Sequence, residues 1–173
     1  MKKILKSIVH RITSDSLKRR AAGVERTKAY QTWEKIHTGL VFWVGDPEEQ
    51  QWLKEIGRKW AGITLDKLCF LPSPNKEILT DAITYVTGED LSFSGRIVNE
   101  ELLRIMETPY DLLLDLTDQS NPLIDYILKG SRAKCKIGVP KENFEADVMI
   151  DGVSGPLDLI DKAAVVFSGL KEA

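Results

Sequence analysis

Gly39-Leu40-Val41-Phe42-Trp43-Val44-Gly45-Asp46-Pro47-Glu48-Glu49 is the stretch on which the fold turns. Leu40 to Val44 is a short, continuous apolar run rich in β-branched and aromatic residues, the composition of a strand covered on both faces. Asp46 then stands as an N-cap, Pro47 at the first helical position and Glu49 three residues after the cap, a capping-box-like helix start. Trp52, Leu53, Ile56 and Trp60 mark one face of the helix that follows. A strand that passes directly into a helix is half of a βαβ unit.

The same grammar runs outward from there. Ile63 to Leu71 reads as a strand before the Pro72-Ser73-Pro74 break, and Ala82 to Val86 as a shorter one. Asn99 caps a helix over Glu100 to Met106 that must stop before Pro109. Tyr110-Asp111-Leu112-Leu113-Leu114-Asp115-Leu116 is the clearest interior strand. Asn121-Pro122 opens the next helix, through Leu123, Ile124, Ile127 and Leu128, with Gly130 expected as its left-handed C-terminal residue. Cys135 to Val139 and Ala146 to Ile150 are two more short strands, and Pro156 opens a last helix carrying Leu159, Ile160, Ala163 and Phe167. Strands alternating with helices at this spacing predict an α/β domain with a three-layer, Rossmann-like or flavodoxin-like, mainly parallel sheet of about five strands. The strands from Leu40 and Tyr110 are expected to be interior, with their C-terminal ends on one edge of the sheet.

The first residues differ in kind. Residues 1–28 hold nine Lys and Arg against Asp15 and Glu25, a balance of +7, whereas the remainder holds 15 against 24, a balance of −9. Ile4, Leu5, Ile8, Val9 and Ile12 fall on one side of a 3.6-period helix, and a second helix is expected through Leu17, Ala21 and Ala22, reaching toward Trp33 and Ile36. The division that follows is a basic, amphipathic amino-terminal helical extension, 1–38, on a Rossmann-like domain, 39–173. Lys2, Lys3, Lys6, Arg11, Lys18, Arg19 and Arg20 are the candidate contacts for an anionic partner, a membrane surface or nucleic acid, unless the basic start instead packs on the acidic body of the same protein. Lys6, Ser7, His10 and Arg11 interrupt any secretory apolar run, and no stretch reaches the roughly 20 apolar residues of a transmembrane helix, so a cytoplasmic location is expected.

Composition removes several classes of chemistry. At 173 residues, 43% hydrophobic and 29% charged, the chain is an ordinary globular domain with room for one module. Cys69 and Cys135 stand alone, which argues against a zinc site or a disulfide framework, and the only histidines, His10 and His37, lie in the first quarter of the chain, which argues against a His-based metal site or triad in the body of the domain. Neither a G-x-G-x-x-G nor a phosphate-binding P-loop signature is present, so the two signatures that would make a nucleotide claim strong are absent and the cofactor is left unknown.

Ligands of open parallel sheets bind beyond the carboxyl ends of the strands. That rule nominates Asp46 after the first strand, and Asp115, Thr117, Asp118, Ser120 and Asn121 after the Tyr110 strand. The second group can hold Mg²⁺ through its carboxylates, use them as acid and base, or receive an anion at the start of the Pro122 helix, and helix capping alone demands the same residue types. Arg96 can hold phosphate or carboxylate through its guanidinium fork, or sit in an ordered loop. Gly152-Val153-Ser154-Gly155 reads as a turn into the last helix.

The order of motifs resembles an uncharacterised bacterial family of small α/β proteins, a domain of unknown function. The carriers are the basic start Lys2 to Lys28, the strand and acidic helix Gly39 to Trp60, Asp90-Leu91-Ser92-Phe93-Ser94-Gly95-Arg96, Pro109-Tyr110-Asp111-Leu112-Leu113, Ala133-Lys134-Cys135-Lys136-Ile137-Gly138 and Ala146-Asp147-Val148-Met149-Ile150. Ser94, Trp43 and Val44 depart from the pattern, and the resemblance implies no catalytic role. Tyr110 to Gly138 is also similar to part of the amino-terminal half of heptosyltransferase-type glycosyltransferases, which implies a Rossmann-like fold. The function expected first is a non-catalytic domain acting through association by its basic helices. The alternative is a small enzyme or sensor that binds a phosphorylated or nucleotide ligand at the strand ends.

Overall fold

The computed structural model describes residues 16, 17, 19–21, 24–45, 52–72, 82–90, 96–142 and 146–170. Among these residues six strands form one parallel sheet: β1 (Thr38–Val44), β2 (Thr64–Phe70), β3 (Thr84–Val86), β4 (Leu112–Asp115), β5 (Cys135–Gly138) and β6 (Val148–Met149). Their order is β3-β2-β1-β4-β5-β6, with every pairing parallel. This is the doubly wound Rossmann order, not the flavodoxin-like one, and it has one strand more than the expected five. β1 and β4 are neighbours at its centre, in register Gly39 to Leu112 and Phe42 to Asp115, so both C-terminal ends do lie on one edge.

The strands at the centre are mostly apolar because each side is covered. Val41, Trp43, Leu112, Leu114, Cys135 and Ile137 face α1 (Trp52–Lys59) and α4 (Pro156–Gly169), meeting Ile56, Leu159, Ile160, Ala163 and Phe167. Leu40, Phe42, Leu68 and Leu113 face α2 (Glu100–Glu107) and α3 (Pro122–Gly130), meeting Leu102, Ile105, Ile124, Ile127 and Leu128. Alternate residues of one strand therefore feed two separate cores. Asn99 caps α2 by accepting from the amide of Leu102, and Asn121 caps α3 by accepting from Leu123 and Ile124.

Two local expectations are overturned. Gly130 is helical, not left-handed; α3 ends in the extended residue Ser131, whose amide bonds back to Ile127. What favours glycine there is contact between helices, since a Cβ at Gly130 would lie 2.6 Å from the Met106 Cε of α2. Nor does the early helix continue to Trp33 and Ile36. Its described residues end at Ala21, residues 24–32 have no regular structure, and Trp33–Lys35 is a single 3-10 turn. The residues from Lys2 to Ile12, with Lys18, lie outside those described.

The described part of the basic start is built into the body. Leu17 and Ala21 are buried, while Arg19 and Arg20 are exposed. Ala29 donates its amide to the carbonyl of Lys134 at the start of β5. Arg26 donates to the carbonyls of Ala133 and Lys134 and pairs with Asp147, which also takes Lys28 at 2.9 Å and the amide of Lys136. Burial pushes the Asp147 carboxyl up, but the bonds from Arg26, Lys28 and Lys136 outweigh it and hold the group below the usual carboxylate range.

Candidate functional site

The sheet order reverses between β1 and β4. The chain leaves β1 for α1 on one face and leaves β4 for α3 on the other, so the two connections diverge and a crevice opens above the strand ends. A cavity of about 540 Å³ occupies that place. Its floor is Trp43, Val44, Trp52, Leu116, Val139, Ile150 and Leu159, contributed by β1, α1, the ends of β4, β5 and β6, and α4. Asp118, Asp151 and Ser154 are its exposed polar residues, and Gly152 to Pro156 form the wall where the chain enters α4.

Trp43 and Trp52 meet edge to face, with ring centroids 5.2 Å apart and planes at 88°, a favourable aromatic geometry that fixes the floor. The indole N–H of Trp43 is buried without a hydrogen-bond partner among the described residues. The same is true of Trp60, which packs edge-on against Trp33 and does not line the crevice.

Beside the crevice lies a sealed polar cluster. Asp115, at the end of β4, accepts through Oδ1 from the Thr117 amide at 3.0 Å and from its hydroxyl at 2.8 Å, and through Oδ2 it pairs with Lys141. Lys141 also donates to Thr117 Oγ1. Asp115 and Lys141 are almost wholly buried, and burial pushes the Asp115 carboxyl above the usual range against the pull of Lys141 and Thr117. Gly138 completes the cluster, because a Cβ there would stand 3.2 Å from Asp115 Cβ and 3.3 Å from its carbonyl oxygen. The cluster ties the end of β4 to the loop after β5, and only Thr117 of its members lines the crevice.

The nominated residues thus part company. Thr117 and Asp118 line the crevice. Asp115 is held internally, Ser120 donates to both carboxylate oxygens of Asp125, and Asn121 caps α3, which are structural tasks. Arg96 is exposed on the connection between β3 and α2 and is not a lining residue. Asp46 lies outside the described residues. Trp43, Trp52 and Asp151 were not nominated, and Gly152 to Gly155 is, as expected, a turn into the last helix, but one that also walls the crevice. The signal that finds these residues is the rule already used, applied to every strand: the ends of β1, β5 and β6 share the edge on which β4 ends.

Among the described residues no group of three or more His, Cys, Asp or Glu side chains is placed to hold a metal ion, and no helix is long and apolar enough to cross a membrane. Fold and crevice together define a doubly wound α/β domain with an open cleft at its topological switch point. The chain belongs to a family of unknown function, DUF6913, whose model matches residues 6–161. No curated protein and no solved structure matches it, and the likeness to heptosyltransferase-type glycosyltransferases is without support.

Proposed function

We propose that the protein binds a small molecule in the crevice between the ends of β1 and β4. The observation that carries this reading is the cavity itself: about 540 Å³, within the range of roughly 300–1,000 Å³ typical of ligand sites, with an apolar floor and a few polar groups at its rim. It lies where doubly wound sheets place their ligands. A second reading, association with an anionic partner through the basic start, draws on Arg19 and Arg20, exposed on a helical turn whose Leu17 and Ala21 are buried. It is weakened by Arg26 and Lys28, whose charges are already taken by Asp147. Cys69 and Cys135 are buried thiols outside any disulfide, which supports a reducing, cytoplasmic setting.

A thermal-shift screen of a small-molecule library against the wild type and Asp118→Trp tests the first reading. Asp118 is exposed at the rim, so an indole there obstructs the mouth without entering the core. Compounds that raise the wild-type midpoint and leave the variant's unchanged support it. Compounds that stabilise both equally bind elsewhere, and a screen without a stabilising compound counts against any ligand role.

A further inference from the structure

From the charge of the crevice we infer that its ligand is a small organic cation with an apolar body, an inference that rests on the crevice being a ligand site. Among the described residues, the ionisable side chains that line the cavity are Asp118 and Asp151, with no lysine, arginine or histidine beside them. Two ammonium groups that bond to lining residues are already engaged: Lys141 with Asp115 and Thr117, and Lys162 with Asp158 and the carbonyl of Gly152.

Among the described lining residues, the feature that would attract an anion is the start of α4 at Gly155 and Pro156. That start carries its own carboxylate. Asp158 accepts from the Ser154 amide at 2.8 Å and from the Ser154 hydroxyl at 3.1 Å, so both Ser154 donors are occupied and a negative charge already sits on the helix end. Pro156 has no N–H to offer. The phosphorylated or nucleotide ligand expected from the fold class is therefore disfavoured by the residues present. A cation with an apolar body meets two carboxylates at the rim and the Trp43, Trp52, Val139, Ile150 and Leu159 surface beneath. Trp43, 2% exposed and with its indole N–H without a hydrogen-bond partner among the described residues, is a further polar group in that floor.

Three probes with one body separate the charges: benzylamine, benzyl alcohol and benzoate, titrated against the full chain by calorimetry and tryptophan fluorescence at low salt. The expected result is benzylamine bound at least ten-fold more tightly than benzyl alcohol, with benzoate weakest. The advantage should fall with added salt and vanish in Asp118→Asn/Asp151→Asn, which replaces two exposed residues. Benzyl alcohol or benzoate bound as tightly as benzylamine overturns the inference, as does an unchanged benzylamine preference in the double variant. If library compounds blocked by Asp118→Trp bind while benzylamine shows no preference, the inference falls and the crevice reading stands. If no probe and no library compound binds, both fall.

Discussion

Replacing Asp147 by alanine asks whether the basic start is part of the folded body. The Asp147 side chain is 2% exposed and Arg26 is 13% exposed, so the pair is desolvated, while Lys28, at 61%, adds little. Breaking a buried pair by removing one partner costs about 3–5 kcal/mol, and the lower end applies because Arg26 keeps its bonds to the carbonyls of Ala133 and Lys134. A loss of about 3 kcal/mol in a chain of this size lowers Tm by about 6–12 °C. Urea denaturation of the wild type, Asp147→Ala, Arg26→Met and the double variant measures the loss and the coupling between the two residues. The pH dependence follows from the lowered carboxyl. The contribution of Asp147 is complete above the unfolded carboxylate value near about 4 and disappears as pH falls below it toward the folded value. A loss under about 1 kcal/mol, the worth of an exposed ion pair, would refute the docking of Arg26 on the sheet edge and return those charges to an external partner.

Three further outcomes follow from the same packing. Gly130→Ala should be neutral to within about 1 kcal/mol, because the group in its way is the flexible end of Met106 and alanine favours the helix, whereas Gly138→Ala should cost about 1–3 kcal/mol by urea denaturation, because it meets the backbone of Asp115. Lys136 is buried, with its ammonium against the carbonyls of Leu128 and Lys129 at the end of α3, and burial, helped by Arg26, pushes its pKa down to about 7. Its folded value lies below its unfolded one, so stability should rise with pH between about 7 and the ordinary lysine value near about 10.4, by up to about 1.4 kcal/mol per pH unit, and Lys136→Met should remove that slope in urea titrations. Asn121→Ala should cost about 1 kcal/mol through the lost cap, without altering ligand binding if the residue serves only α3.

The elements that were legible in the sequence are those whose causes are local. The Leu40 run, the Tyr110 run and the caps at Asn99 and Asn121 carry their reasons within a few residues, and each forms the expected element. Gly130 misled because a glycine at a helix end serves either a left-handed turn or a close helix contact, and only the position of Met106 decides which. The basic start left its partner open for a similar reason. Its partner Asp147 lies 121 residues from Arg26, and nothing in either segment names the other. In the site, Thr117 and Asp118 were reachable from β4 alone. The partnership of Asp115 with Lys141, and the convergence of Trp43, Trp52 and Asp151 on one cleft, follow from strand order, which periodicity does not encode.

The most direct test of the crevice is amide chemical-shift mapping on isotope-labelled protein with any compound that stabilises it. Binding at the switch point predicts perturbations concentrated at residues 116–118, 139, 150–155 and the indole N–H signals of Trp43 and Trp52. Perturbations confined to another surface, such as residues 19–37, with those signals unmoved, would contradict it.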